Sequence, residues 1–168
     1  EYVKIQDIKD LVIDLIRDFG VDFKITFAPL SSSLQYDEPG MGGFSYKELY
    51  NSEIGKYISS FHVQAYGSFS FETFDKMIKN GYPENKLIIG MLSGMFNKDT
   101  FHLALAEVDK IKVQYPNMGG VFDWEYLDAP PNPNSPGEWA NEMSQIVHNT
   151  PGYVYAMYIY FLRSIGFY

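Results

Sequence analysis

The chain has 168 residues, 46% hydrophobic and 20% charged, with a net charge of −8. That composition suits one globular domain with a real core; the length falls short of the ~250 residues of a complete eight-stranded β/α barrel, and the acidic balance argues against a nucleic-acid surface built on clustered Lys and Arg. There is no cysteine, which excludes disulfides, thiol catalysis and cysteine-ligated metals, and there is no Asn-x-Ser/Thr glycosylation signal.

Ile5, Ile8, Leu11, Val12, Leu15, Ile16 and Phe19 recur at helical spacing and predict a first helix, stopped by Gly20. Residues 23 to 28 follow as a strand that Pro29 ends. Residues 29 to 43 read as a loop, carrying Ser31, Ser32 and Ser33 and then Gly40, Gly42 and Gly43. Ser45 and Glu48 have capping-box spacing for a short helix. Residues 61 to 66 make the next strand, and a helix runs from Ser70 to about Lys79 before Asn80 and Gly81 break it. Residues 86 to 92 form a third strand, and Asn97 is placed to cap the longest helix, reaching about Gln114. Residues 119 to 124 form a fourth strand. A proline-rich loop over residues 128 to 137 leads to a second capping box, Ser135 with Glu138, with Pro136 at the first helical position.

The two ends differ from this pattern. The sequence opens on Glu1 rather than Met, with no signal-peptide pattern, and reads as a processed product or a fragment. Residues 151 to 168 form an aromatic-rich tail of unassigned role. Its apolar run from Tyr153 to Leu162 is too short for a spanning helix of roughly 20 residues, so no transmembrane segment is expected. A buried strand or helix is the plain expectation for it, and a membrane-interface or partner-binding segment the other.

Strands alternating with helices imply an α/β fold with parallel pairing and right-handed crossovers. Two architectures fit: an open sheet, or half of an eight-fold barrel. No phosphate loop or dinucleotide glycine pattern follows a strand, which weakens a nucleotide-binding open sheet, and no cofactor is expected. In both architectures chemistry sits at the carboxyl ends of the strands. On the second strand His62, Gln64 and Tyr66 share one face, with Val63 and Ala65 on the other. On the fourth, Gly120, Phe122 and Trp124 share a face opposite Val121, Asp123 and Glu125. Tyr66 offers a hydroxyl, Gln64 a donor and an acceptor, and Trp124 an apolar floor of the kind that stacks on sugar rings. The alternatives are a hydrogen-bonded core pair for Gln64 and Tyr66 and a core tryptophan for Trp124. Asp123 and Glu125 could form a carboxylate pair of the glycosidase kind, but parity sets them opposite Trp124. His62, His102 and His148 are scattered without metal-ligand spacing, so no metal site is expected.

Taken together, the four strand ends resemble a known family. Phe23-Lys24-Ile25-Thr26-Phe27-Ala28-Pro29, Phe61-His62-Val63-Gln64-Ala65-Tyr66, Lys86-Leu87-Ile88-Ile89-Gly90-Met91 and Met118-Gly119-Gly120-Val121-Phe122-Asp123-Trp124 look like strands five to eight of a family 18 glycoside hydrolase, the family of chitinases and endo-β-N-acetylglucosaminidases. The resemblance covers residues 1 to 147 and makes residues 1 to 150 the C-terminal half of a TIM-type (β/α)8 barrel. It implies hydrolysis of β-1,4 links beside N-acetylglucosamine, with the substrate's own N-acetyl oxygen attacking the anomeric carbon. In that family a glutamate at the end of strand four, in a DxxDxDxE motif, protonates the leaving oxygen. The motif is absent from these residues, and Glu1 stands as its last residue or the one after it. Tyr66 matches the tyrosine that hydrogen-bonds the reacting acetamido group, and Trp124 the tryptophan beneath the sugar. Gln64 and Met91 are expected on the same floor. Gly67 stands where many relatives have Asn.

The implied partners are chitin or another N-acetylglucosamine-containing glycan, together with either a missing N-terminal half barrel or a second copy, because a half barrel leaves two sheet edges and its inner face open. This chain alone is expected to be inactive and not to behave as a clean monomer. A non-catalytic sugar-binding relative, and an open-sheet assembly protein without a sugar site, are the alternatives.

Overall fold

A computed structural model describes residues 2–149. Glu1 and residues 150–168 lie outside the described residues, and with them the proposed acid and the aromatic tail. The elements are α1 (Ile5–Phe19), β1 (Ile25–Phe27), α2 (Ser31–Gln35), α3 (Tyr46–Asn51), β2 (Ile58–Gln64), α4 (Phe71–Lys79), β3 (Leu87–Leu92), α5 (Phe101–Gln114), β4 (Gly120–Trp124) and α6 (Gly137–His148). The helix–strand rhythm is the one the periodicities predict.

Local signals explain most boundaries. Gly20 takes φ 88° after α1, and its N–H returns to the Ile16 carbonyl at 2.9 Å. The Ser45 hydroxyl accepts from the Glu48 N–H at 3.1 Å and starts α3, and the Ser70 hydroxyl accepts from the Thr73 N–H at 3.2 Å and starts α4. Four expectations change. The 29–43 loop contains α2, a single turn and a half secured by buried Ser31, Ser33 and Leu34, too short for a periodicity to reveal. Asn97 does not cap α5: its side-chain Oδ1 accepts from the Asp99 and Thr100 N–H groups in a preceding turn, and the helix starts at Phe101. At 14 residues α5 is also one shorter than α1, at 15. Ser135 gives α6 no side-chain cap, and only its backbone carbonyl accepts from the Glu138 N–H.

All four strands are parallel, in the order β1-β2-β3-β4. A doubly wound open sheet reverses its strand order so that helices cover both faces. A strictly sequential order puts every right-handed crossover on one face. Of the two architectures the sequence left open, the structure therefore has the half barrel. The core lies on the helix side. Val63, Leu87, Ile89 and Met91 are fully buried there, together with Phe74 and Met77 of α4 and Val108 and Ile111 of α5. The other face, which in a closed barrel would be the interior, is open.

Candidate functional site

The open face gathers its side chains through the register. His62 sits beside Ile88, Gln64 beside Gly90, Gly90 beside Phe122, and Leu92 beside Trp124. Gly90 is the hub of this row. A Cβ there would run into the Phe122 ring, so only glycine lets that ring lie flat across β3. Phe122 then reaches His62, ring centroids 5.7 Å apart at 37°. The result is a cleft of about 420 Å³ lined by Ala28, His62, Gln64, Tyr66, Phe122 and Trp124. That volume lies in the range of small-molecule sites, roughly 300–1,000 Å³.

The polar groups in the cleft have defined roles. Gln64 Nε2 donates to the Ala28 carbonyl at 2.6 Å, which orients the amide. Its oxygen, left without a partner among the described residues, is an acceptor for a ligand N–H. Tyr66 lies just beyond β2, where the chain turns through Gly67 at φ 83°. Its hydroxyl makes no hydrogen bond among the described residues. Burial, and then the nearby Asp123 charge, raise its pKa above the usual phenol value, so it stays a proton donor at neutral pH. Trp124 is 58% exposed at the end of β4, and no ring among the described residues stacks on its indole.

Tyr66, Gln64 and Trp124, expected together from the sequence, thus line one cleft at the ends of β2 and β4. Met91 is not among them, and this corrects the expectation. It faces the helices, fully buried, and its sulfur accepts from the Trp139 indole N–H at 3.1 Å. The physical reason is parity: with Gly90 and Leu92 turned inward, the residue between them must turn outward. Asp123 also faces away from the cleft, bonded to the Ser93 hydroxyl at 2.6 Å. Burial raises its pKa, while the bonds from Ser93 and the Trp124 N–H pull the other way. Glu125 is exposed. The sequence placed His62 and Phe122 on the right faces but not in the site. Their signal was the same alternation that selected Gln64 and Trp124. His102 and His148 are exposed on α5 and α6, and no cluster able to hold a metal occurs among the described residues.

No protein-family model matches the chain, and no curated protein matches it. Solved structures do. A fungal endo-β-N-acetylglucosaminidase from glycosyl hydrolase family 18 superposes with a TM-score of 0.75 at 29% identity, covering 87% of this chain and 53% of that one. The chitinase ChiC from Aspergillus fumigatus superposes with a TM-score of 0.68 at 29% identity, covering 86% of this chain and 54% of that one. The chain is a chitinase-like partial barrel. It spans about half the length of both solved structures, and its four parallel strands follow one another as the strands of a TIM-type barrel do.

Proposed function

We propose that the chitinase-like cleft binds an N-acetylglucosamine-containing glycan and forms one half of a glycosidase site whose acid comes from upstream β/α units. The observation that carries this reading is the convergence of Tyr66, Gln64 and Trp124 on one cleft at the carboxyl ends of the strands. The Trp124 indole stacks on the sugar's C–H face. The Tyr66 hydroxyl donates to the acetamido oxygen as that oxygen attacks the anomeric carbon, stabilising the charge that develops there. The Gln64 oxygen accepts from the acetamido N–H. Departure of the leaving oxygen needs a general acid, which on this reading is Glu1 or the residue just upstream of it.

One feature of the cleft separates binding from cleavage. None of its lining residues among the described ones is a carboxylate. This supports a chain that binds glycan by itself and cleaves it only when the other half of the barrel is supplied. The test is titration with a chitin oligomer, followed by a fluorogenic chitobioside assay. We expect saturable binding that Trp124→Ala weakens about 30-fold, and turnover only after four upstream β/α units are added. Cleavage by the chain alone would overturn the placement of the acid, and oligomer binding unchanged in Trp124→Ala would overturn the sugar site itself.

A further inference from the structure

The Trp124 indole has no hydrogen bond of its own among the described residues, and more than half of the residue is exposed. Its orientation must therefore come from the backbone that carries it. Yet β4 ends at Trp124, so the ladder to β3 gives Glu125 no support. What reaches past the ladder is Ser93. This residue directly follows β3, is fully buried, and lies one step beyond Leu92, the cross-strand partner of Trp124. Its Oγ lies 2.6 Å from Asp123 Oδ1 and 2.9 Å from the Glu125 carbonyl oxygen. The hydroxyl carries one proton, shared between these two acceptors on either side of Trp124. Asp123 itself is committed to this contact: its second oxygen, Oδ2, is buried without a partner among the described residues.

We propose that Ser93 and Asp123 are positioning residues that clamp the β4 terminus and fix the Trp124 indole as the floor of the cleft. The clamp rests on the reading of Trp124 as a sugar platform. It acts through the backbone, since Ser93 and Asp123 stand behind the sheet and neither lines the cleft. A buried bridge at the joint between strand and loop holds an exposed aromatic more firmly than the loop alone. The Asp123 contribution depends on hydrogen bonding rather than on charge, so an amide at that position, which can both donate and accept, preserves it.

The experiment starts from the full 168-residue chain carrying Trp139→Phe, which leaves Trp124 as the single tryptophan. Fluorescence anisotropy and acrylamide quenching then report on Trp124 with no sugar present. Ser93→Ala and Asp123→Ala are expected to lower the anisotropy and to raise the quenching constant about twofold, with circular-dichroism melts still cooperative. Asp123→Asn is expected to restore the parent values. Ser93→Cys keeps the volume while removing the strong donor, and answers the same question where Ser93→Ala does not fold. Parent-like anisotropy in a folded Ser93→Ala or Ser93→Cys chain overturns the clamp. A chitin-oligomer titration forms the second arm. Ser93→Ala is expected to bind about tenfold more weakly although Trp124 is intact, as befits the loss of one hydrogen bond. A parent that binds no oligomer, combined with a loosened Trp124 in Ser93→Ala, would overturn the sugar reading and support the clamp.

Discussion

The two faces of this sheet are made from the same four strands and are physically opposite. Toward the helices, Val63, Leu87, Ile89 and Met91 are sealed in a continuous core. Toward the cleft, His62, Gln64 and Phe122 are half-buried and Trp124 is exposed. Neighbouring residues in the sequence thus carry different duties, and alternation alone decides which. The helix face stabilises the fold. Among the described residues the open face keeps polar groups unpaired and an aromatic unstacked, as a surface that meets a ligand or another piece of protein does.

The sharpest way to break this comparison is to truncate neighbours on β3. Leu87 is fully buried on the helix side, and Ile88 faces the cleft side. Leu87→Ala is expected to cost about 2–5 kcal/mol through lost burial and the cavity left behind. Ile88→Ala is expected to cost about 1 kcal/mol, because its site is only half enclosed. Urea unfolding at constant m-value measures both. Equal costs would mean that the open face is covered in solution, by the other half of a barrel or by a second copy, and the same unfolding curves would then depend on protein concentration if a copy supplies the cover.

Next in size is the cleft's shape. Gly90→Ala pushes a methyl into the Phe122 ring, which must swing away or drag β4 with it. Overpacking of this kind costs about 1–3 kcal/mol. The displaced ring fills part of the cleft, so oligomer affinity should fall together with stability. Trp124→Ala separates the two effects. It removes an exposed ring, so unfolding should barely change, while oligomer binding drops about 30-fold, or ~2 kcal/mol. A stability loss as large as that of Leu87→Ala would show Trp124 to be a core residue after all.

The fold was legible because its signals are local. Period 3.6 in α1, a serine at the start of α3 and of α4, and glycine after α1 all act within a few residues. The site was legible where the alternation mixes chemistries. His62, Val63, Gln64, Ala65 and Tyr66 show their two faces in the residue types themselves, and Gly120, Phe122 and Trp124 do the same. Met91 was misplaced for the opposite reason. The run from Leu87 to Leu92 is apolar throughout, so its parity is invisible until Gly90 is seen beneath the Phe122 ring. The Ser93 bridge was out of reach for a further reason: its partners lie 30 and 32 residues away, and only strand register brings them together. The short helix α2 was hidden by its serines, which favour turns over helices and leave no apolar stripe.

The smallest predicted effect concerns tyrosines on the two faces. Tyr115, at the end of α5, packs against Phe71 and Phe74, and its hydroxyl donates to Asp75 at 2.6 Å. Burial, followed by the Asp75 hydrogen bond and charge, pushes its pKa up to about 12. Tyr66 on the cleft side is also raised, by burial and then by Asp123. The sign follows from the direction. A phenol whose pKa is raised by folding adds stability at every pH below its unfolded value near 10, and that contribution disappears as pH climbs from about 10 to about 12. Tyr115→Phe should therefore lower stability slightly at neutral pH, by about 1 kcal/mol for the lost hydrogen bond, and should flatten the loss of stability above pH 10. Tyr66→Phe leaves the Asp75 contact in place, so the alkaline slope tied to Tyr115 stays, while glycan binding weakens because the cleft has lost its donor. Absorbance at the tyrosinate band during alkaline titration, recorded alongside unfolding, distinguishes the two. A Tyr115 that ionises with the exposed tyrosines near pH 10 would show that the helix face is looser than its burial implies, and the contrast between the two faces would shrink accordingly.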